Sequence, residues 1–395
     1  MDLLVIVDNY PPLTNSGAII VGDLVEELYR QKNKITVITF INPEDNLKTP
    51  QISDEKNASV IRIPVGDKKR NRLSRALIEI SYSRKIIKTL KEIRDIKFDA
   101  IIFYSPSIFF GSAVSWLKKG RSVKSYLICR DIFPKWALDV GLLKKNLIYY
   151  YFKHIERKLY HSADIIGYES GRDHDYFMKM IAPKDIKLQV LNNWGSGYLQ
   201  LSSSPHVEIL DKNKINIIYG GNIGDAQDLL NLIELVDFGH FSKGVSLTII
   251  GDGSQYDKIE KKILLIGHSN ITLHKAMEKN RYLEVLAMAD IGLISLNAKL
   301  KSHSYPLKML NYMQLGKPLF AVVNQGNEII DLINKERIGV SAISADATSI
   351  NQALRSLVDD VEFMEEAGKN ALKLFKRKFS VESATKQILN SLKEL

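Results

Sequence analysis

Short apolar runs recur along the first half of the chain, at residues 3–7, 34–41, 100–104, 125–129 and 164–167. Runs of this length without polar alternation predict strands buried on both faces of a sheet. Between them the apolar residues fall at helical spacing. Val21, Leu24, Val25 and Leu28 place one stripe on a helix over residues 18–32, and Leu77, Ile80, Ile87 and Leu90 do the same over 73–94. Helices are also predicted at 109–118 and 143–161. Around residues 195–213 the periodicity lapses into Gly195-Ser196-Gly197 and Ser202-Ser203-Ser204-Pro205, which is linker composition. Alternation then resumes, with strands at 215–219, 246–251, 271–273, 291–294 and 319–323. Helices are predicted at 228–238, 254–266, 281–289 and 306–316, with a further helix from 327 and helices to the end.

Strands alternating with helices predict parallel sheets covered on both sides. The expected architecture is α/β, with two Rossmann-like domains whose parallel sheets face a cleft. Residues 1–195 form the first domain, 196–213 the linker and 214–375 the second domain, and a helix in 376–395 packs back on the first. Ligands in such folds bind at the carboxyl ends of the strands.

The length of 395 residues fits two domains, and 45% hydrophobic with 25% charged residues is a soluble, globular composition. The single cysteine, Cys129, excludes an intrachain disulfide and a cysteine zinc cluster and points to a reducing compartment. Met1 runs directly into the first strand, so no signal peptide is expected, and no apolar stretch of about 20 residues is present to span a bilayer.

The charge of +10 is uneven. Residues 1–200 hold 32 Lys and Arg against 22 Asp and Glu, which leaves 23 of each sign in residues 201–395. A charge carried by one domain suits a surface for an anionic partner. The excess clusters at Lys68-Lys69-Arg70-Asn71-Arg72, Arg75, Arg84-Lys85, Lys88, Lys91, Arg94 and Lys97. On a helix with an apolar side these residues suit an anionic bilayer, at roughly 1 kcal/mol per basic residue near the surface. Residues 143–153, which mix lysines with aromatics, are a second candidate. A solvated helix face is the alternative, and nucleic acid ranks last because no nucleic-acid module is visible.

The chemistry-bearing positions lie at predicted strand ends. Pro306, Lys308, Gly316 and Pro318 frame a helix between two strands, with Lys308 one turn in, where an ammonium and free N–H groups can hold a phosphate. By itself this stretch also reads as an ordinary surface helix. Gly17 opens a helix after the first strand, and Gly220-Gly221-Asn222-Ile223-Gly224 and Gly251-Asp252-Gly253 follow two strands of the second domain. Such glycines let backbone approach a ligand, or else make tight turns. Arg130-Asp131 follows the strand at 125–129 and reads either as a cleft pair or as a local salt bridge. Ile132-Phe133-Pro134-Lys135-Trp136 then puts aromatics beside these charges, which suits a sugar or lipid-phosphate acceptor or an ordinary core.

Several chemistries are unsupported. Neither a Gly-x-Gly-x-x-Gly after the first strand nor a P-loop occurs, and no Gly-x-Ser-x-Gly or His-Glu-x-x-His is present. Asp173-His174-Asp175 has an Asp-x-Asp spacing, but it follows a turn and opens a helix, where acids serve the dipole. No metal and no cofactor is expected.

Taken together, these stretches resemble the GT-B glycosyltransferases of family 4, and more narrowly the bacterial transferases of N-acetyl-L-fucosamine in O-antigen or capsule assembly. The resemblance is carried by Asp8-Asn9-Tyr10-Pro11-Pro12 with Gly17, by Tyr104-Ser105-Pro106-Ser107-Ile108-Phe109-Phe110-Gly111, by residues 124–136 and by Leu191-Asn192-Asn193-Trp194. Residues 220–227, Ala289-Asp290 and residues 306–318 complete it. It implies a retaining, metal-independent transfer from a UDP-sugar to a glycan acceptor linked to undecaprenyl diphosphate or a similar lipid. It further implies a cytoplasmic enzyme peripheral on the inner face of the cell membrane. By position, Gly17, Arg130 and Asp131 would face the reacting sugar or acceptor hydroxyl. Gly221, Asn222, Gln227 and Lys308 would hold the diphosphate, and Gly251, Gly253 and Met277 would border the base. His303 and Asn311 stand where many relatives have two acids, and Asn222 and Gln227 where many have Arg and Lys, so Lys308 is left to carry more of the diphosphate charge. A UDP-sugar epimerase on the same architecture and a non-catalytic basic protein on membranes are the competing readings.

Overall fold

The computed structural model describes residues 1–42, 49–66, 77–93, 96–139, 141–195, 209–238, 241, 244–267, 270–300 and 305–395. The chain divides into two compact units, Met1–Asn193 with Val381–Leu395, and Trp194–Ser380.

The first unit holds β1 (Asp2–Ile6), β2 (Lys34–Ile41), β3 (Gln51–Asp54), β4 (Ser59–Pro64), β5 (Ala100–Tyr104), β6 (Lys124–Cys129), β7 (Ile165–Tyr168) and β8 (Lys187–Val190). They form one sheet in the order β3-β4-β2-β1-β5-β6-β7-β8, parallel throughout except for the antiparallel edge pair β3–β4. β5 is buried at every position, as its unbroken apolar sequence requires. The chain reverses its direction of travel across the sheet between β1 and β5, and it is at such a switch point that a crevice opens above the carboxyl ends.

The second unit holds β9 (Ile215–Asn222), β10 (Val245–Asp252), β11 (Ile271–Lys275), β12 (Ile291–Ser295), β13 (Leu319–Val323) and β14 (Gly339–Ile343), ordered β11-β10-β9-β12-β13-β14 and all parallel. Its switch point lies between β9 and β12. The predicted α/β class with parallel sheets therefore holds.

Four strands had no counterpart in the apolar pattern. β3 and β8 are short edge strands with polar, partly exposed residues, and β4 alternates apolar with Arg62 and ends in Pro64. β14 interrupts the region read as helices to the end, because a five-residue edge strand between two amphipathic helices has no periodicity of its own. The helix predicted at 143–161 spans Leu147–Ser162: Asn146 is extended and its side chain accepts from Tyr149 N, so the chain before it is outside the helix. The helix predicted at 18–32 spans Ser16–Arg30, capped by Asn15 accepting from Ala18 N at 3.0 Å. The helix predicted at 306–316 spans only Lys308–Gln314, so Lys308 is its first residue rather than one turn in. Gly316 ends it at φ +66°, the left-handed geometry that glycine takes without strain.

The last helix, Val381–Lys393, belongs to the first unit and lies along its edge. Gln387 Nε2 donates to Val190 O at 2.7 Å, Ser391 Oγ to Gln189 Oε1 at 2.9 Å, and Lys187 pairs with Glu394 at 2.7 Å. It thereby covers β8, the edge strand that would otherwise offer an unpaired ladder.

Candidate functional site

Strand register creates the site of the second unit. β12 pairs with β9 only at Ile217 and Ile218, whereas β10 follows β9 to Asn222. From Tyr219 onward, one edge of β9 therefore has no strand beside it. Tyr312, fully buried, fills part of the gap and accepts from Gly220 N at 3.2 Å. The rest is occupied by the side chain of Lys308. Its Nζ donates to Tyr219 Oη at 2.5 Å and lies 3.8 Å from the centre of that ring, while Tyr219 Oη donates to Asn222 O at 2.5 Å.

Lys308 is half-buried, and no carboxylate lies within ion-pair distance of it among the described residues. Burial alone lowers its ammonium to about 7. An amine so placed binds a proton much more readily once an anion arrives. Gly221, exposed at φ +129°, passes close by: a Cβ there would stand 3.7 Å from Lys308 Nζ.

The loop after β9 is braced by side chains. Asn222 Nδ2 donates to Gln227 Oε1 at 2.8 Å, and Gly224 N donates to the same oxygen at 3.2 Å. Ser295, at the end of β12, donates to Gln227 O at 2.6 Å. Asn222 and Gln227 are thus spent partly on each other and shape the turn beside Lys308. Gly251 and Gly253 have a structural reason to be glycine. A Cβ on Gly251 would collide with Gly221 O, and one on Gly253 with Ile223 O. They let the ends of β9 and β10 touch. Met277 is partly buried against the core that includes Met309 and Tyr312, and Asn311 is half-buried on the helix that Lys308 begins. His303 lies outside the described residues.

In the first unit, Gly17 lies in the first turn of Ser16–Arg30. A Cβ on it would meet only Asn15 Oδ1 at 3.6 Å and Tyr104 Cε1 at 4.0 Å, ordinary contact distances. The chain itself does not require glycine here. The loop ahead of it is tethered by Arg62 Nη2, which donates to Pro11 O at 2.9 Å.

Arg130 follows β6 and is turned inward. Its Nη1 donates to Leu191 O at 2.8 Å and its Nη2 to Asn192 O at 3.3 Å, and Nη1 lies 3.6 Å from Glu169 Oε1. Arg130 therefore pairs with Glu169, at the end of β7, while its charge also acts on the adjacent Asp131. Burial raises the Glu169 carboxyl and the Arg130 charge opposes that rise. Asp131 is raised by the same two opposed causes and faces a pocket of about 550 Å³ with Phe109, Phe133, Trp136 and Phe152 on its walls. Burial also pushes the Tyr104 phenol up to about 12.

The basic run at 68–75, and Arg94, lie outside the described residues. On the helix Tyr82–Glu92, Arg84, Lys88 and Lys91 are exposed at one-face spacing, with Tyr82 and Ile86 buried beneath. Asp173 and His174 are divided between a short 3₁₀ turn and the helix after it, and His174 Nδ1 sits 2.7 Å from Tyr168 Oη. Among the described residues no cluster of three or more His, Cys, Asp and Glu is arranged to hold a metal, and no helix is long and apolar enough to cross a membrane.

Tyr219, Glu169 and Arg62 escaped the sequence reading. Tyr219 sits inside an apolar strand and Glu169 in a turn, and only register and packing reveal their partners.

Residues 204–374 match the family described as Glycosyl transferases group 1. The chain is 23% identical over 344 residues to the probable glycosyltransferase WbjE of Pseudomonas aeruginosa, covering 86% of this chain and 84% of that one. It is 24% identical over 340 residues to the putative colanic acid biosynthesis glycosyl transferase WcaI of Escherichia coli K12, covering 80% and 82%. Among solved structures, Alr3699/HepE from Anabaena in complex with UDP superposes with a TM-score of 0.67 at 14% identity, over the whole of both chains. The match to group 1 glycosyl transferases thus falls on the second unit, and with the fold it makes the chain a glycosyltransferase of GT-B fold.

Proposed function

We propose that the chain transfers a sugar, N-acetyl-L-fucosamine being the first to test, from its UDP-linked donor to a lipid-diphosphate-linked glycan during assembly of a bacterial surface polysaccharide. The observation that carries this reading is Lys308, a half-buried amine without a carboxylate partner beside glycine backbone at the open end of β9. A diphosphate supplies the missing negative charge. Two of the similar proteins support the substrate class: HepE was solved with UDP, and WcaI is described by colanic acid biosynthesis.

The transfer itself is a front-face substitution with retention. The bond from the anomeric carbon to the β-phosphate oxygen breaks, the acceptor oxygen bonds to that carbon from the same face, and its proton passes to the leaving phosphate. Lys308 neutralises the charge that grows on the diphosphate, and being fixed by Tyr219 it does so without reorganising. Gly221 lies against the diphosphate, with Asn222 and Gln227 holding the turn, while Gly251, Gly253, Met277 and Asn311 border the nucleoside; His303 stays a donor-binding candidate by sequence position, outside the described residues. Gly17 leaves room for the donor sugar. Asp131 and the aromatic pocket beside it receive the acceptor.

The exposed cations of Tyr82–Glu92, together with Leu147, Ile148, Tyr150 and Tyr151 exposed on the later helix, support a place on an anionic membrane where such an acceptor resides. Co-sedimentation with vesicles of phosphatidylglycerol, but not of phosphatidylcholine, is the expected outcome. Incubation with a panel of nucleotide sugars and lipid extracts, read by mass spectrometry, tests the reaction. A sugar–lipid product from a UDP donor supports it, and free UDP formed equally without acceptor favours an epimerase or hydrolase.

Gly17 offers a sharper test. Gly17→Ala is expected to leave the fold intact or stabilise it by up to about 1 kcal/mol, since alanine is the better helix former. It is also expected to cut kcat/KM at least tenfold, because the methyl enters space kept for the donor. A variant as active as the parent would remove Gly17 from the site.

A further inference from the structure

A second cationic site lies elsewhere in the first unit. Helices Gly111–Lys118 and Leu147–Ser162 cross so closely at Gly111 that a Cβ there would stand 2.8 Å from the backbone of Leu159. The crossing forms one wall of a pocket of about 490 Å³, lined by Gly111, the hydroxyl side chains Ser112 and Ser115, and the basic residues His154, Arg157, Lys158, His161 and Lys184. Among the described residues its lining includes no carboxylate. Like charges gathered around one hollow repel one another, and no acid on the lining relieves them.

Two of the cations are braced by backbone. Arg157 Nη2 donates to Ala182 O at 2.6 Å, and Lys184 Nζ to His161 O at 3.0 Å. His161 Nε2 is buried and has no hydrogen-bond partner among the described residues. Burial first, then the charges of Lys184 and Arg157, hold its imidazole below the usual range. His161 and Lys184 precede β7 and β8, so they stand at the amino ends of those strands, opposite the edge that carries Arg130, Asp131 and Glu169. This pocket is therefore separate from the candidate active site.

We propose that this pocket binds a phosphate-bearing anion, with Arg157, Lys158 and Lys184 supplying charge and Ser112, Ser115 and His161 supplying hydrogen bonds. A phosphate offers several acceptor oxygens and at least one negative charge, which matches a lining of donors. The anion has two possible sources, a dissolved phosphate compound or the headgroup of a membrane lipid. The helix suggests how the second would arrive: Leu147, Tyr151, His154 and Lys158 follow one another along its exposed side, apolar first and cationic after.

The test uses the full-length protein with inorganic pyrophosphate in calorimetry and with phosphatidylglycerol vesicles in sedimentation, each in the parent, Lys158→Gln, Lys158→Arg, Ser115→Glu and Lys308→Met. Ser115→Glu keeps every basic residue and the braces they make, so it tests the pocket without risking the fold. At least tenfold weaker pyrophosphate binding in Lys158→Gln and Ser115→Glu, with Lys158→Arg like the parent and with this binding event retained in Lys308→Met, which removes only the separate event at the donor site, supports a site for dissolved phosphate. The same pattern seen only with vesicles supports a lipid headgroup. If neither probe binds, or if only Lys308→Met weakens binding, the proposal fails. Binding lost only in Lys308→Met leaves the donor-site reading standing, because the two sites share no residue, and nucleotide-sugar calorimetry on the parent reads that site separately.

Discussion

Lys308→Met is expected to lower kcat/KM for the nucleotide sugar by about 10²–10³-fold, the range found when a preorganised donor to a developing anion is removed. Methionine nearly fills the same space, so the loss would be one of charge. The fold should not suffer. Because burial lowers the ammonium to about 7, the unfolded chain binds a proton more readily than the folded one between that pH and the ordinary lysine value of 10.5. Stability conferred on the folded state therefore rises with pH through this window, and at neutral pH the lysine is a burden. A variant with a higher melting temperature near pH 7 and little activity is the expected combination.

The same residue sets a pH signature for binding. A diphosphate beside Lys308 raises its pKa, so above about pH 7 donor binding takes up a proton. Affinity should be flat below pH 7 and fall by up to about tenfold per pH unit above it, until the pKa of the bound state is reached. The diphosphate of a nucleotide sugar is esterified at both ends and does not titrate here, so the slope reports on the protein. Calorimetry from pH 6 to 9 would show it, and Lys308→Met should abolish it. Full affinity and an unchanged slope in that variant would put the diphosphate somewhere else.

The second large effect is on folding. Gly251→Ala places a methyl group against Gly221 O, a backbone atom of the neighbouring strand that cannot swing aside. The ends of β9 and β10 must part, at a cost of about 3 kcal/mol or more, the upper part of the range for overpacking. For a unit of this size, that corresponds to a fall of roughly 6–12 °C in melting temperature. The loop of Gly221 and Asn222 moves with β9, so donor binding should weaken as well. A denaturation curve like the parent's would show that the strand ends are less closely packed than described.

How far the sequence could be read depended on the kind of signal. β1, β5, β12 and β13 were legible because buried parallel strands are runs of apolar residues with few substitutes. β3 and β8 were not, since an edge strand may carry any residue that tolerates water, and β14 was too short to interrupt two helical patterns. Gly316 was legible as a helix stop because few residues take a positive φ. Gly251 announced only that some neighbour comes close, and the structure shows one such neighbour to be the chain's own Gly221 carbonyl. Arg130 next to Asp131 suggested an adjacent pair, but the guanidinium turns to Glu169 and two carbonyls. The adjacent charges do act on each other, but the carbonyls and the carboxylate that hold the guanidinium come from segments far along the chain.

By itself the sequence determined the alternation of strands and helices, the parallel sheets and the lysine at the start of a helix, because burial period and backbone restriction are local properties. Tertiary structure alone decided that β12 stops short along β9, that Lys308 enters the opening without a carboxylate beside it, and that basic side chains from a helix and a loop surround one hollow. Register, desolvation and the meeting of distant charges depend on which segments come together, and no local pattern encodes that.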